Sequence, residues 1–274
     1  MSKVSQKKAP ISILDIVARK SKGERLSMIT CYDSAFAKLI NLTAIDIVLV
    51  GDSVGNVMLG FDNTIPVTVD HMIHHTAAVS RVLEKAFLCA DMPFFSYQVS
   101  KVQALRSAGR LIQEGGAHGV KLEGGKEVAS KARAIVKAGI PVMGHLGLTP
   151  QSLYALGGYR VQGRGNKAAQ KFFDDAKALE DAGCFAIVLE LVPAELAQHV
   201  SAAVKVPTIG IGAGVHCDGQ VLVLQDMLGM DAGFKPKFLK QYANLSEIVS
   251  GALNSFDREV KQGKFPGTEH SFMD

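Results

Sequence analysis

A chain of 274 residues is long enough for one large α/β domain of the barrel type, which typically takes about 250 residues. With 47% hydrophobic and 20% charged residues it can bury a sizeable core, which excludes wholesale disorder. Its 30 basic and 26 acidic residues are dispersed for a net charge of +4, too mild for a nucleic-acid footprint but suited to an anionic small molecule.

Residues 1–10 are polar and lysine-rich, without the apolar segment of a secretory signal, and read as a disordered tail. Residues 11–274 read as a single domain. Apolar positions 11, 13, 14, 16 and 17 predict a short amphipathic helix over Ile11–Lys20, placed to close the bottom of a barrel. Leu26–Tyr32 is the first predicted strand, and Asp33-Ser34 can cap the helix that follows. Ile45–Val50 is the second strand. A loop rich in Gly and Asn then runs from Gly51 to Pro66, ahead of a helix over Val69–Leu83. Phe87–Ala90, Gly119–Leu122 and Ile140–Gly144 are strands three to five, alternating with helices over Val102–Glu114 and Lys126–Ala138. A second long loop, Leu146 to about Gly165, leads to a helix over Ala168–Ala182. Phe185–Leu189 and Val206–Ile211 are strands six and seven, separated by a helix over Ala194–Val204. Gly219–Leu228 is expected as helix and Ala232–Lys237 as the eighth strand, with Pro236 a poor strand residue. Residues 244–261 are again helical.

This alternation predicts a (β/α)8 TIM barrel with the short N-terminal helix closing its bottom. The two long loops follow strands on opposite sides of the ring, and loops of that length are usually functional. Four cysteines, at 31, 89, 184 and 217, form no C-x-x-C pair and read as free thiols of a reducing, cytoplasmic compartment. No apolar run approaches the roughly 18 residues that a membrane span needs.

Strand after strand ends on an ionisable group. In Phe185-Ala-Ile-Val-Leu-Glu190 five apolar residues run into a carboxylate. Asp52 follows the second strand, Asp91 the third, Lys121 and Glu123 belong to the fourth, and His145 closes the fifth. Barrels of this class build their active sites at that face. Asp52, Asp91 and Glu123 come from neighbouring strands and would repel one another if unpaired. Two readings are open: a hard cation, where oxygen-only ligands favour Mg²⁺ over zinc, or ordinary ion pairing with Lys121 or arginines. Glu190, among Val188, Leu189, Leu191 and Val192, suits a general base; the other reading is a strand-end acid paired with a helix or loop cation. Lys121 shares a strand face with Glu123. It can bind a substrate carboxylate or an enolate oxygen, form a Schiff base, or make a salt bridge. His145 reads as readily structural as functional. His71, His74 and His75 lack the Glu after the first His that a metalloprotease helix needs, and read as a helix surface. Gly210-Ile-Gly-Ala-Gly214 stands where barrels often bind phosphate, and close backbone packing explains it equally well. Tyr32 either lines the pocket or simply packs.

Motifs along the chain carry a resemblance. They are Val50-Gly-Asp-Ser-Val-Gly55, Thr64-Ile-Pro-Val-Thr68, Ala90-Asp-Met-Pro93, Val120-Lys-Leu-Glu-Gly-Gly125, Gly144-His-Leu-Gly-Leu-Thr-Pro-Gln-Ser152, Gly157-Gly-Tyr-Arg-Val-Gln-Gly-Arg164, and Gly210–Gly214 with Asp218-Gly219. From about Ile13 to Phe272 the chain resembles the ketopantoate hydroxymethyltransferase family. The resemblance implies a barrel of the phosphoenolpyruvate/pyruvate superfamily. It implies one-carbon transfer from 5,10-methylenetetrahydrofolate to 3-methyl-2-oxobutanoate, giving 2-dehydropantoate on the way to pantothenate and coenzyme A. It implies Asp52, Asp91 and Glu123 around Mg²⁺, Glu123 through water. It also implies oxo-acid contacts from Asp52, Ser53, Asp91 and Lys121, Glu190 as proton acceptor, and a decameric assembly. Phe61 departs from the pattern, since many relatives carry histidine after the glycine matching Gly60; the run Asp62-Asn-Thr-Ile-Pro-Val-Thr68 beyond it is intact. Two other readings remain. A Mg²⁺-dependent lyase or mutase of the same superfamily would not require folate. A non-catalytic barrel would be expected to have lost its strand-end acids.

Overall fold

The computed structural model describes residues 10–231, 233 and 235–273. Eight parallel strands close a barrel in sequence order: β1 (Leu26–Thr30), β2 (Ile47–Val50), β3 (Phe87–Asp91), β4 (Gly119–Glu123), β5 (Val142–Gly147), β6 (Ala186–Glu190), β7 (Thr208–Ile211) and β8 (Gly219–Leu222). The principal helices between them are α2 (Ser34–Ile40), α4 (Val69–Ser80), α5 (Lys101–Gln113), α6 (Lys126–Lys137), α8 (Asn166–Ala182) and α9 (Ala194–Ala203). The loop after β2 contains α3 (Val54–Val57); the loop after β5 contains a 3₁₀ turn at Pro150–Ser152 and α7 (Leu153–Leu156). Every residue of β2, β3 and β4 is buried. Helices cover such strands outside while their inward side chains fill the barrel, so the strands read as continuous apolar runs.

The expected helix at the barrel bottom is α1 (Ile13–Lys22). Ser12 and Asp15 cap each other's backbone N–H groups in a capping box, and Gly23 (φ 69°) ends the helix in the left-handed region. The wholly buried Ile16 joins a core cluster with Met28, Ile47, Leu49, Phe87 and Ile209. Polar contacts hold the helix there. Arg19 Nη2 lies 2.8 Å from Asp46 Oδ1. Lys20 Nζ donates to Ser201 O (2.6 Å), Val206 O (3.0 Å) and Asp218 Oδ2 (2.9 Å).

The eighth strand corrects the sequence reading. Gly219–Leu222, expected to begin a helix, is β8, and pairs in parallel with both β1 and β7. Gly219 is needed at the closure, because a Cβ there would lie 2.6 Å from Leu26 O and 2.7 Å from the Ile209 side chain. A four-residue strand that begins with glycine and exposes Gln220 has no apolar run to announce it. Of the segment expected as strand eight, residues 233 and 235–237 are not strand, while Ala232 and Phe234 lie outside the described residues. The expected tail also lies outside them, apart from Pro10.

The chain divides into two compact units, one ending at Val223 and one running from Leu224. The second contains α10 (Leu224–Met227) and α11 (Leu245–Lys261). The α11 helix exposes Ile248, Val249, Leu253 and Phe256. The four cysteines are free and buried. Among the described residues no helix is long and apolar enough to cross a membrane.

Ile16→Ala should lower unfolding stability by about 2–5 kcal/mol, the range for emptying a buried aliphatic site. Denaturant titration of both proteins measures it; an unchanged midpoint would show that α1 does not plug the barrel.

Candidate active site

Strand register sets the acids and bases side by side. Asp91 of β3 pairs with Lys121 of β4, Glu123 of β4 with His145 of β5, and Gly147 of β5 with Glu190 of β6. Residues two apart on a strand share a face, so Lys121 and Glu123 both point into the barrel mouth. Lys121 Nζ lies 2.9 Å from Asp91 Oδ1 and 3.2 Å from His145 Nδ1. The same imidazole faces Glu123 Oε1 and Glu190 Oε2, each at 3.3 Å. Asp52 stands in the turn beyond β2, where its backbone N–H donates to Asp91 Oδ2 at 3.0 Å. Asp52, Asp91, Lys121, Glu123, His145 and Glu190 thus form one continuous cluster. Glu190 alone keeps a partly open side chain, 18% exposed. Leu191 takes φ 47° directly after it, a conformation costing an L residue roughly 1–3 kcal/mol. That left-handed residue ends β6 abruptly and leaves the carboxylate at the rim.

Two residues that the sequence reading did not single out complete the cluster. Gln151, in the turn that opens the second long loop, donates from Nε2 to Asp52 Oδ2 (2.8 Å) and Met92 O (2.9 Å). Its backbone N–H donates to Glu123 Oε2 at 3.1 Å. The Tyr97 hydroxyl accepts from the Glu123 N–H (3.0 Å) and donates to Gln151 Oε1 (2.9 Å). Tyr97, Glu123 and Gln151 also line a cleft of about 490 Å³. The one available signal was their place in βα loops just beyond strand ends; no spacing rule foretold the loop conformation that turns them inward.

Burial dominates the electrostatics. It pushes the Asp52 carboxyl well above the usual range, with Asp91 and Glu123 adding to the effect. Burial also raises Asp91, against the restraint of Lys121. For Lys121, burial opposes the charge, but Asp91, Glu123 and Asp52 hold the ammonium above its usual value. Burial and Lys121 oppose a charge on His145, yet hydrogen bonding to Glu123 and Glu190 lifts it to about 9.

The donor set suits a hard cation. Asp91 Oδ1 and Glu123 Oε1 are buried, and the groups that face them are the cationic Lys121 and the His145 imidazole. Among the described residues no group of three or more His, Cys, Asp or Glu is arranged to hold a metal alone. Mg²⁺ typically needs only one or two carboxylates, the rest coming from water and substrate oxygens.

Other sequence candidates have different places. Ser53 Oγ lies 2.8 Å from the buried Tyr32 hydroxyl, and His75 Nδ1 contacts Tyr32 O at 2.8 Å. His71 instead accepts from the Thr68 N–H in its helix cap. In the glycine run after β7, a Cβ at Gly210 would lie 3.0 Å from Cys217 Sγ, and one at Gly214 2.5 Å from Ala194 Cβ. Close packing accounts for both.

The pattern of the family described as ketopantoate hydroxymethyltransferase matches residues 10–268. The chain belongs to this family. It is 55% identical over 262 residues to the 3-methyl-2-oxobutanoate hydroxymethyltransferase of Thermoanaerobacter sp. (strain X514), covering 96% of each chain. It is 56% identical over 262 residues to that of Moorella thermoacetica, covering 96% of this chain and 97% of the other. Among solved structures it is similar to phosphonopyruvate hydrolase in complex with oxalate and Mg⁺⁺, with TM-score 0.61, 14% identity, and 96% and 91% of the two chains covered. It is also similar to 2,3-dimethylmalate lyase, with TM-score 0.58, 14% identity, and 95% and 91% covered. At such identities the likeness shows the fold alone, the (β/α)8 barrel expected from the sequence.

Gly147 sits at φ 102°, where any Cβ would collide with the Glu190 carbonyl oxygen. Gly147→Ala should therefore shift Glu190 and cost roughly 10²-fold in kcat, the scale of a 1 Å misplacement. Steady-state hydroxymethyl transfer by the folded variant measures it; wild-type kcat would show that the close approach does not position Glu190.

Proposed function

We propose that this barrel transfers a one-carbon unit from 5,10-methylenetetrahydrofolate to 3-methyl-2-oxobutanoate, with Mg²⁺ at Asp52, Asp91 and Glu123 and Glu190 as the base. The observation that carries the reading is the unbroken cluster from Asp52 to Glu190 at the C-terminal mouth of the barrel. Three buried acids at one end support the cation reading, and the partly open Glu190 at the other supports its reading as the base.

Asp52 and Asp91 would hold the ion directly and Glu123 through water, as the family resemblance implies. When bound, Mg²⁺ supplies a Lewis acid that polarises the 2-oxo group. The chain's own residues do the rest. Lys121, kept charged by its acid neighbours, faces the negative charge that develops on the oxo-acid oxygens. With Ser53, whose hydroxyl is oriented by Tyr32, it fixes the substrate. Glu190 removes the C3 proton, and His145 at 3.3 Å holds its carboxylate toward the mouth. The C3 electron pair then forms a bond to the methylene carbon of the opened folate iminium. Water supplies the hydroxyl as the carbon–nitrogen bond to folate breaks, releasing tetrahydrofolate.

The family match favours this transfer over the lyase or mutase reading. Free buried cysteines support a cytoplasmic location, and the exposed apolar residues of α11 support association, which we take to be the decamer that the resemblance implies.

Product formation from 3-methyl-2-oxobutanoate should require both methylenetetrahydrofolate and Mg²⁺. Asp52→Ala and Asp91→Ala should each lower Mg²⁺-dependent turnover by about 10²-fold or more, since even outer partners of metal ligands cost 10–100-fold. Both variants should stay folded, Asp91→Ala with a lowered melting temperature because the buried Lys121 loses its 2.9 Å partner. Full activity of either variant without added metal, or turnover independent of folate, would contradict the assignment.

A further inference from the structure

We propose that Gln151, locked by Tyr97, is a positioning residue that presets Asp52 and Glu123 for their cation and ties the loop after β5 to that site. The inference rests on the reading of these acids as a metal site. Gln151 is buried, and both hydrogens of its amide are committed, one to Asp52 Oδ2 and one to Met92 O. The amide oxygen is held by the Tyr97 hydroxyl. Flipping the amide would turn its oxygen toward two acceptors, so a single orientation is enforced. The backbone N–H of the same residue holds Glu123 Oε2, while Glu123 Oε1 faces the His145 imidazole at 3.3 Å.

The choice of an amide is informative. A lysine or arginine in this place would neutralise the acids and compete with a cation. Gln151 aims one carboxylate with its side chain and the other with its backbone while adding no charge. Tyr97 contributes in the same way, through a neutral hydroxyl that touches both Gln151 and the Glu123 backbone. Asp52 and Glu123 come from different βα units, and these contacts fix their relative placement before any ion arrives. Outer contacts of this kind orient metal ligands and sustain affinity.

The test is Mn²⁺ binding, measured by electron paramagnetic resonance on the full chain without substrates, in wild type, Gln151→Met, Tyr97→Phe and the double variant. Gln151→Met keeps the side-chain volume and the backbone bond to Glu123. It should weaken Mn²⁺ binding about 10–100-fold while the circular dichroism spectrum stays that of the wild type. Tyr97→Phe should lose less, and the double variant should bind about as weakly as Gln151→Met, because the two residues act as one unit. Wild-type Mn²⁺ affinity in folded Gln151→Met overturns the inference, and so does full additivity in the double variant. If Gln151→Met does not fold, Tyr97→Phe decides, and unchanged affinity there overturns it. A wild-type chain that binds no Mn²⁺ overturns the metal-site reading itself, which separates the two failures.

Discussion

Four carboxylates, Asp52, Asp91, Glu123 and Glu190, meet at the mouth of this barrel, where Lys121 and His145 are the basic groups in contact with them. Bringing them together costs desolvation and like-charge repulsion, which is why Asp52 and Asp91 are held above the ordinary carboxylate range. The rest of the structure serves to hold that arrangement. Closing the barrel forces the neighbouring strand ends together, and the parallel register decides which side chains become neighbours. Lys121 meets Asp91 and His145 meets Glu123 because those residues are register partners. The bottom of the barrel, plugged by Ile16 and pinned by Arg19 and Lys20, gives the strands a packed base. A negative charge excess at the mouth is tolerable on such a frame, and it supports the proposal of a bound cation.

The cluster also divides the work. At the Asp52 end, neutral donors from Gln151 and Tyr97 orient the acids without cancelling their charge. At the Glu190 end, a left-handed Leu191 stops the strand and leaves the carboxylate partly exposed. Lys121 and His145 lie between, linking the two halves electrostatically. This division supports the proposal that one part of the site binds the oxo acid and the other takes a proton from it.

Much of this was legible in the sequence. The strand-end acids stood out because a charge interrupts an apolar run, and such an interruption marks the C-terminal end of a strand, where a barrel of this kind builds its mouth. That logic located Asp52, Asp91, Glu123 and Glu190, and the structure brings them together. It failed for β8, where Gly219 and exposed Gln220 leave no apolar run and closure between β1 and β7 imposes the strand. It also missed Gln151 and Tyr97. Neither sits on a strand, and their roles depend on loop conformations that tertiary contacts set rather than local sequence. His145 stayed ambiguous in the sequence for a similar reason. Its meaning comes from facing Glu123 and Glu190 at once, which no single strand reveals.

Removal of the C3 proton of a branched 2-oxo acid, the step proposed for Glu190, can be isolated from the transfer step. With Mg²⁺ and without folate, the wild-type chain should exchange the C3 proton of 3-methyl-2-oxobutanoate for deuterium in D₂O, followed by proton NMR. Glu190→Gln, which keeps the shape and removes the basic oxygen, should slow that exchange by roughly 10²–10⁴, the share of a positioned general base. Undiminished exchange in Glu190→Gln would rule Glu190 out as the base.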